Sequence, residues 1–237
     1  MNRGALYAGL CLLSLLGCGR TRAWEDMNEL QLTRTVLSEP KNDTARYYLG
    51  LLLYQNGRLT EAEPHLREAV RLNPQNPDAR HLLGKLLMDM GRLPEAEAEL
   101  REAILLNPKH SEARNDLGTV FILTGKDSAA VAEWSEAIRL NPNNAEAHYN
   151  LGVWLYKRGK KEEAKKEFQE AIRARPDYPE AHGNLGAVYK EEGDYENARK
   201  ELETAAGLFE QRGRIADALK AKEMLEGIPG DLDQSIK

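Results

Sequence analysis

Residues Pro77–His110 read PDARHLLGKLLMDMGRLPEAEAELREAILLNPKH, and the chain returns to this pattern every 34 residues. The Leu83-Gly84 pair recurs as Leu49-Gly50, Leu117-Gly118, Leu151-Gly152 and Leu185-Gly186. A second glycine follows each pair: Gly57, Gly91, Gly125, Gly159 and Gly193. Then come Ala62, Ala96, Ala130, Ala164 and Ala198, and after them a large apolar residue, Leu66, Leu100, Trp134, Phe168 or Leu202. Pro74, Pro108, Pro142 and Pro176 close the units. Self-similarity at a fixed period of this size marks stacked supersecondary units, none of which can bury its apolar side alone.

Each unit reads as two helices. In Pro77–His110, Ala79, Leu83, Leu86 and Leu87 fall on one face of a first helix. Asn76 is placed to cap it, Pro77 suits the first turn, and Asp78 complements the positive helix end. Gly91 supplies the left-handed turn residue. Pro94 opens a second helix, whose apolar face is Ala96, Leu100, Ala103 and Ile104. Asn107-Pro108 ends it, because a residue before proline avoids the helical region. Gly84 and Ala96 are small where the two helices must approach, and Leu100 fills the space beside them.

These columns resemble the tetratricopeptide repeat (TPR) over residues 43–212, with a weaker half-unit on each side. The resemblance implies an all-α fold: a right-handed superhelical α-solenoid of stacked helix-turn-helix units. The expected organisation is a lipoprotein signal peptide at 1–17 and a tether with a degenerate N-terminal half-repeat at 18–42. Five units follow (43–76, 77–110, 111–144, 145–178 and 179–212), then a capping helix and tail at 213–237. In the half-repeat, Leu30, Leu32, Val36 and Leu37 supply the apolar residues. In the last unit Glu210 stands where proline is due, so its second helix is expected to run on toward Arg212. In the capping helix the apolar residues are Ile215, Ala218, Leu219 and Leu225, with a polar outer side.

The first residues differ in composition from the rest. Arg3 precedes the apolar run Ala5–Gly17, too short to span a bilayer but suited to the core of an export signal. The run ends Leu15-Leu16-Gly17-Cys18, which resembles the lipobox of bacterial lipoproteins, with Leu16 where a smaller residue is usual. That resemblance implies acylation of Cys18, cleavage before it, and a lipid-anchored protein of the bacterial envelope. Gly19, where aspartate would mark inner-membrane retention in enterobacteria, points to the outer membrane and a periplasm-facing body. Two alternatives stay open: an ordinary cleavable signal or uncleaved anchor, and a cytosolic protein with an apolar start. The other cysteine, Cys11, lies within the signal, so no disulfide is expected in the mature chain.

The formal net charge of −5 carries no basic stripe of the kind nucleic acid requires. Alternating runs such as Lys160–Glu167 read as solvated helix faces. No phosphate loop, nucleophile elbow or paired carboxylates appear, so no enzyme, cofactor or small-molecule substrate is expected. His148 and His182 share a column. Stacked units lie on the order of 10 Å apart, too far for two histidines alone to hold zinc.

The family resemblance assigns the first helices to a concave groove that binds a polypeptide. Mapped onto this sequence, its exposed side carries Tyr47, Tyr48, Leu51, His81, Leu82, Lys85, Met88, Asn115, Asp116, Thr119, Tyr149, Asn150, Val153, Tyr156 and Asn184. Asn150 and Asn184 match the asparagines that hydrogen-bond a ligand backbone in the family, and Asp116 takes that place in the third unit. For Leu51, Leu82 and Val153, packing on the neighbouring unit is an equal alternative. The cationic clamp for acidic C-termini is replaced by Asp78, Glu112, Glu146 and Glu180. The expected partner is therefore a neutral, apolar or basic protein segment. Exported TPR lipoproteins of this kind include pilotins for the type IV pilus secretin and adaptors for cell-wall hydrolases. A self-associating array or general assembly factor with no dedicated secretin partner is the remaining interaction reading, and the enzyme-class alternative is a repeat appendage whose catalytic domain is a separate chain.

Overall fold

The computed structural model describes residues 24–228. The signal segment 1–17, Cys18 and the tail beyond residue 228 lie outside the described residues. The described residues divide into two compact parts, one ending at Met90 and the other beginning at Gly91. Within the first lie α1 (Glu29–Ser38), α2 (Asp43–Gln55), α3 (Leu59–Leu72) and α4 (Pro77–Asp89). The second holds α5 (Leu93–Leu106), α6 (Ser111–Leu123), α7 (Asp127–Leu140), α8 (Ala145–Lys157), α9 (Lys161–Ala174), α10 (Pro179–Glu192), α11 (Tyr195–Gln211) and α12 (Ile215–Glu226). No strand occurs among the described residues. In each part, helices consecutive in sequence pack side by side as an α-solenoid.

The starts of the first helices of the pairs follow from side-chain caps, whereas α3, α5, α7, α9 and α12 start without one. The carboxamide oxygens of Asn42, Asn76 and Asn144 accept from backbone amides of the first turn, and His110 Nδ1 does the same. Asn28 and Gln31 form a reciprocal capping box at α1. Tyr178 occupies the corresponding position before α10 and makes no such bond; its ring is buried instead. The turn between the helices of each pair needs a left-handed residue, and Gly91 takes φ 75° there.

The small column lets paired helices touch. A Cβ on Gly118 would stand 2.6 Å from Trp134 Nε1 and 3.1 Å from the Ala130 carbonyl. Gly50 faces Leu66, Gly152 faces Phe168, and Gly186 faces Leu202 in the same way. Leu66, Phe168 and Leu202 are consequently sealed from solvent.

A polar brace repeats beside this core. Arg114 on α6 reaches Glu133 on α7 at 2.9 Å and also donates to the Pro108 carbonyl. One unit on, His148 takes the same role: Nδ1 lies 2.6 Å from Glu167 and Nε2 lies 3.2 Å from the Pro142 carbonyl. His182 repeats it with Glu201 at 2.6 Å and the Pro176 carbonyl at 2.9 Å. These two histidines are thus committed to joining the helices of a hairpin. In the first part Arg46 donates to the Pro40 carbonyl, but the glutamate position holds His65. Burial and then the Arg46 charge lower the pKa of that histidine.

The terminal helices depart from the expected inward packing. Leu32 and Val36 of α1 are buried, whereas Leu30 and Leu37 face outward. Helix α11 runs on to Gln211, and Gly213 turns the chain with φ 70°. Helix α12 then lays Ala218 and Ala221 against Ala205, Ala206 and Phe209. Closure through these small residues sets its rotation and leaves Ile215 and Leu219 exposed.

Candidate protein-binding groove

In the first part, α2 contributes Tyr47, Tyr48 and Leu51, and the adjacent α4 contributes His81, Leu82 and Lys85. Leu82 is 6% exposed, so it belongs to the core rather than to an open surface. The other five are half-buried. The Tyr47 and Tyr48 rings meet edge to face at 5.1 Å, and Trp24 stacks on Tyr48 at 6.3 Å. Burial, with Asp78 next in weight, pushes the Tyr47 hydroxyl up to about 12. At the far end of these helices Tyr54 donates to Asp89 at 2.6 Å.

In the second part the first helices are α6, α8 and α10. Asn115 and Asp116 are 3% and 5% exposed, which corrects their expected place on the open side. The reason is a set of local bonds. Trp134 Nε1 donates to the Asn115 carbonyl at 3.2 Å, Asn115 Nδ2 donates to Asp116 at 3.1 Å, and Asn150 Nδ2 donates to Asn115 Oδ1 at 2.9 Å. Asn184 Nδ2 repeats the last bond one unit on, donating to the Tyr149 hydroxyl at 3.3 Å. The two asparagines that resemble ligand-binding amides therefore form a ladder between successive first helices.

Thr119, Tyr149, Asn150, Val153, Tyr156 and Asn184 are half-buried and border this ladder. Tyr149 is wedged between Tyr178 at 4.9 Å and Phe168 at 6.1 Å, and burial raises its pKa. Tyr156 donates to Glu191; that carboxylate, and then burial, push its hydroxyl up to about 12. Next to Asn184 lies Gly183, where an added Cβ would find only Ala205, at 3.8 Å. This small spot was not among the sequence-derived site residues. Its signal was the column Tyr47, His81, Asn115, Tyr149, which shrinks to glycine in the last unit.

The acids at the helix starts are partly neutralised from within. Glu146 pairs with Arg175 at 2.9 Å, and Glu180 pairs with Arg214. Arg175 also lies over the Tyr178 ring at 4.5 Å. Among the described residues, no group of three or more His, Cys, Asp or Glu could hold a metal ion. No described helix is long and apolar enough to cross a membrane.

A ladder of helix pairs bordered by half-buried aromatic and amide side chains defines a repeat scaffold for protein–protein interaction. Tetratricopeptide repeat models match residues 53–117 and 179–212, and a TPR repeat model matches 118–157 and 154–193. The chain belongs to the tetratricopeptide repeat family. Among solved structures it is similar to MamA, at 25% identity over 70% of this chain and 97% of that one, with a TM-score of 0.55. YrrB, described as a TPR protein with an unusual peptide-binding site, is 21% identical, covering 83% of this chain and all of its own (100%), at a TM-score of 0.54. PilF of Pseudomonas aeruginosa is 22% identical, covering 78% and 92% of the two chains, at a TM-score of 0.63. No curated protein matches the chain.

Proposed function

We propose that this protein is an exported scaffold, anchored by lipid on Cys18, that holds a segment of a partner polypeptide along its first helices at the bacterial outer membrane. The observation that carries the binding half is the ladder Asn115–Asn150 and Tyr149–Asn184, flanked by Thr119, Val153 and Tyr156. Amides repeated at the unit spacing suit a main chain, and the neighbouring aromatic and aliphatic side chains suit alternate apolar residues. The peptide-binding site named for YrrB supports a peptide or protein ligand as the class. The helix starts carry Asp78, Glu112, Glu146 and Glu180, so a neutral, apolar or basic segment fits better than an acidic one, a preference that the Glu146–Arg175 and Glu180–Arg214 pairs temper. In this reading the partner belongs to an envelope complex, with the secretin of a type IV pilus the specific candidate.

The test is capture of envelope proteins by the full chain and by Asn150→Ala/Asn184→Ala. The expected outcome is loss of the captured partner with helix content unchanged; equal capture would refute the groove. Cys18→Ser is expected to move the protein from the membrane to the soluble fraction, and continued membrane retention would refute the anchor. Recovery of cell-wall hydrolases instead of a secretin would favour the adaptor reading.

A further inference from the structure

Helix α1 carries two apolar pairs on opposite sides. Leu32 and Val36 are buried. Leu30 and Leu37, seven residues apart, are 60% and 74% exposed. At 1.5 Å per residue they stand about 10 Å apart along one side of the helix. Arg34 is exposed between them.

The same two repeat positions are filled differently further along. They hold Pro64 and Arg71, Ala98 and Leu105, Ala132 and Arg139, Lys166 and Arg173, and Lys200 and Gly207. Small or cationic residues predominate there, as expected for a solvated outer face. Only α1 places leucine at both positions. Of the nearby acids, Glu29 is tied to Arg58 at 2.8 Å, which tempers its charge.

Chain length limits how far this helix can lie from Cys18. Six residue steps separate Cys18 from Trp24, the first described residue. Fully extended, they reach at most about 20 Å. Trp24 is itself fixed on Tyr48, and its carbonyl accepts from Met27 just before α1. With Cys18 acylated, α1 is the described helix nearest the lipid in sequence. We infer that its Leu30–Leu37 face rests on the phospholipid surface, as a second contact that orients the scaffold on the bilayer. This rests on the proposed anchoring through Cys18. A tethered helix meets the bilayer at high effective concentration, so two side chains suffice where they could not recruit a free protein.

The test uses the full chain processed in bacterial membranes, then reconstituted in phosphatidylethanolamine/phosphatidylglycerol vesicles containing brominated lipid. Leu30→Cys, Leu37→Cys and Ser38→Cys each carry an environment-sensitive fluorophore; all three sites are exposed, so folding is preserved. Mass measurement of the N-terminal peptide reports acylation independently. Positions 30 and 37 are expected to lose most of their emission to the brominated lipid, while position 38 retains most of its own. An acylated protein with unquenched positions 30 and 37 overturns the inference and leaves the anchor standing. Emission changes that depend on a second labelled copy would assign the face to self-association and overturn it too. An N-terminal peptide without lipid overturns the anchor, and this inference falls with it.

Discussion

His182 on α10 and Glu201 on α11 hold one hairpin together, Nδ1 to carboxylate oxygen at 2.6 Å, while Nε2 lies 2.9 Å from the Pro176 carbonyl. Both partners are acceptors, so the ring satisfies them only with two protons, standing in for the guanidinium of Arg114. Burial opposes the charged ring and Lys200 adds to that opposition. Glu201 and the Pro176 carbonyl outweigh them and raise the pKa above 6.5.

A pH dependence follows from that sign. The folded-state pKa is raised, so the stabilisation is complete below 6.5 and is lost as pH rises through the folded value. Thermal midpoints by circular dichroism should therefore fall across that window. His182→Gln should flatten this part of the profile, and a wild-type profile already flat there would contradict the charged brace.

Glycine substitutions should separate close approach from helix propensity. Gly118→Ala drives a Cβ into Trp134 and the Ala130 carbonyl, and overpacking of this kind costs about 1–3 kcal/mol. Gly207, inside α11, has nothing within 4 Å of an added Cβ. Gly207→Ala should stabilise by up to about 1 kcal/mol. Urea unfolding of the two variants is expected to shift in opposite directions.

Phe168 is fully buried against Gly152 and Tyr149. Phe168→Ala should cost about 3–5 kcal/mol. Because repeat arrays transmit stability only between neighbours, amide exchange should accelerate most in α8, α9 and α10. Uniform acceleration throughout the second part would show instead that it opens as one unit.

Arg175 joins two weak interactions, a half-exposed ion pair with Glu146 and the face of Tyr178. Arg175→Ala should cost about 1 kcal/mol, and Arg175→Lys should recover only part of it, because an ammonium lacks the planar stack. A double-mutant cycle with Tyr178→Leu measures the ring's share.

The fold class was legible because each repeat column has a single steric duty. Gly91 must turn with positive φ, Gly118 must admit Trp134, and Leu66 must fill the space beside Gly50. Such duties repeat with the sequence, so they can be read from it. The extension of α11 was legible for the same reason, through the missing proline at Glu210. Side-chain direction at variable columns was less so. Asn115 and Asp116 fit an open groove by position, yet the Trp134 indole and the Asn150 amide draw Asn115 into buried bonds. The brace from Arg114, His148 and His182 was present as a basic residue followed nineteen positions later by glutamate, a spacing that means nothing until the hairpin is closed. Rotation of α12 depended on which of its faces could approach α11 more closely, and small alanines won over larger aliphatics.

The amide ladder also sets the terms on which any main chain could enter. Asn150 and Asn184 are not idle donors waiting in water; each already serves a neighbour one helix away. An incoming strand has to exchange with those neighbours, so its affinity would report a difference between two similar bonds at each rung. Recognition by such a surface would be shallow per rung and would sharpen with the number of rungs engaged.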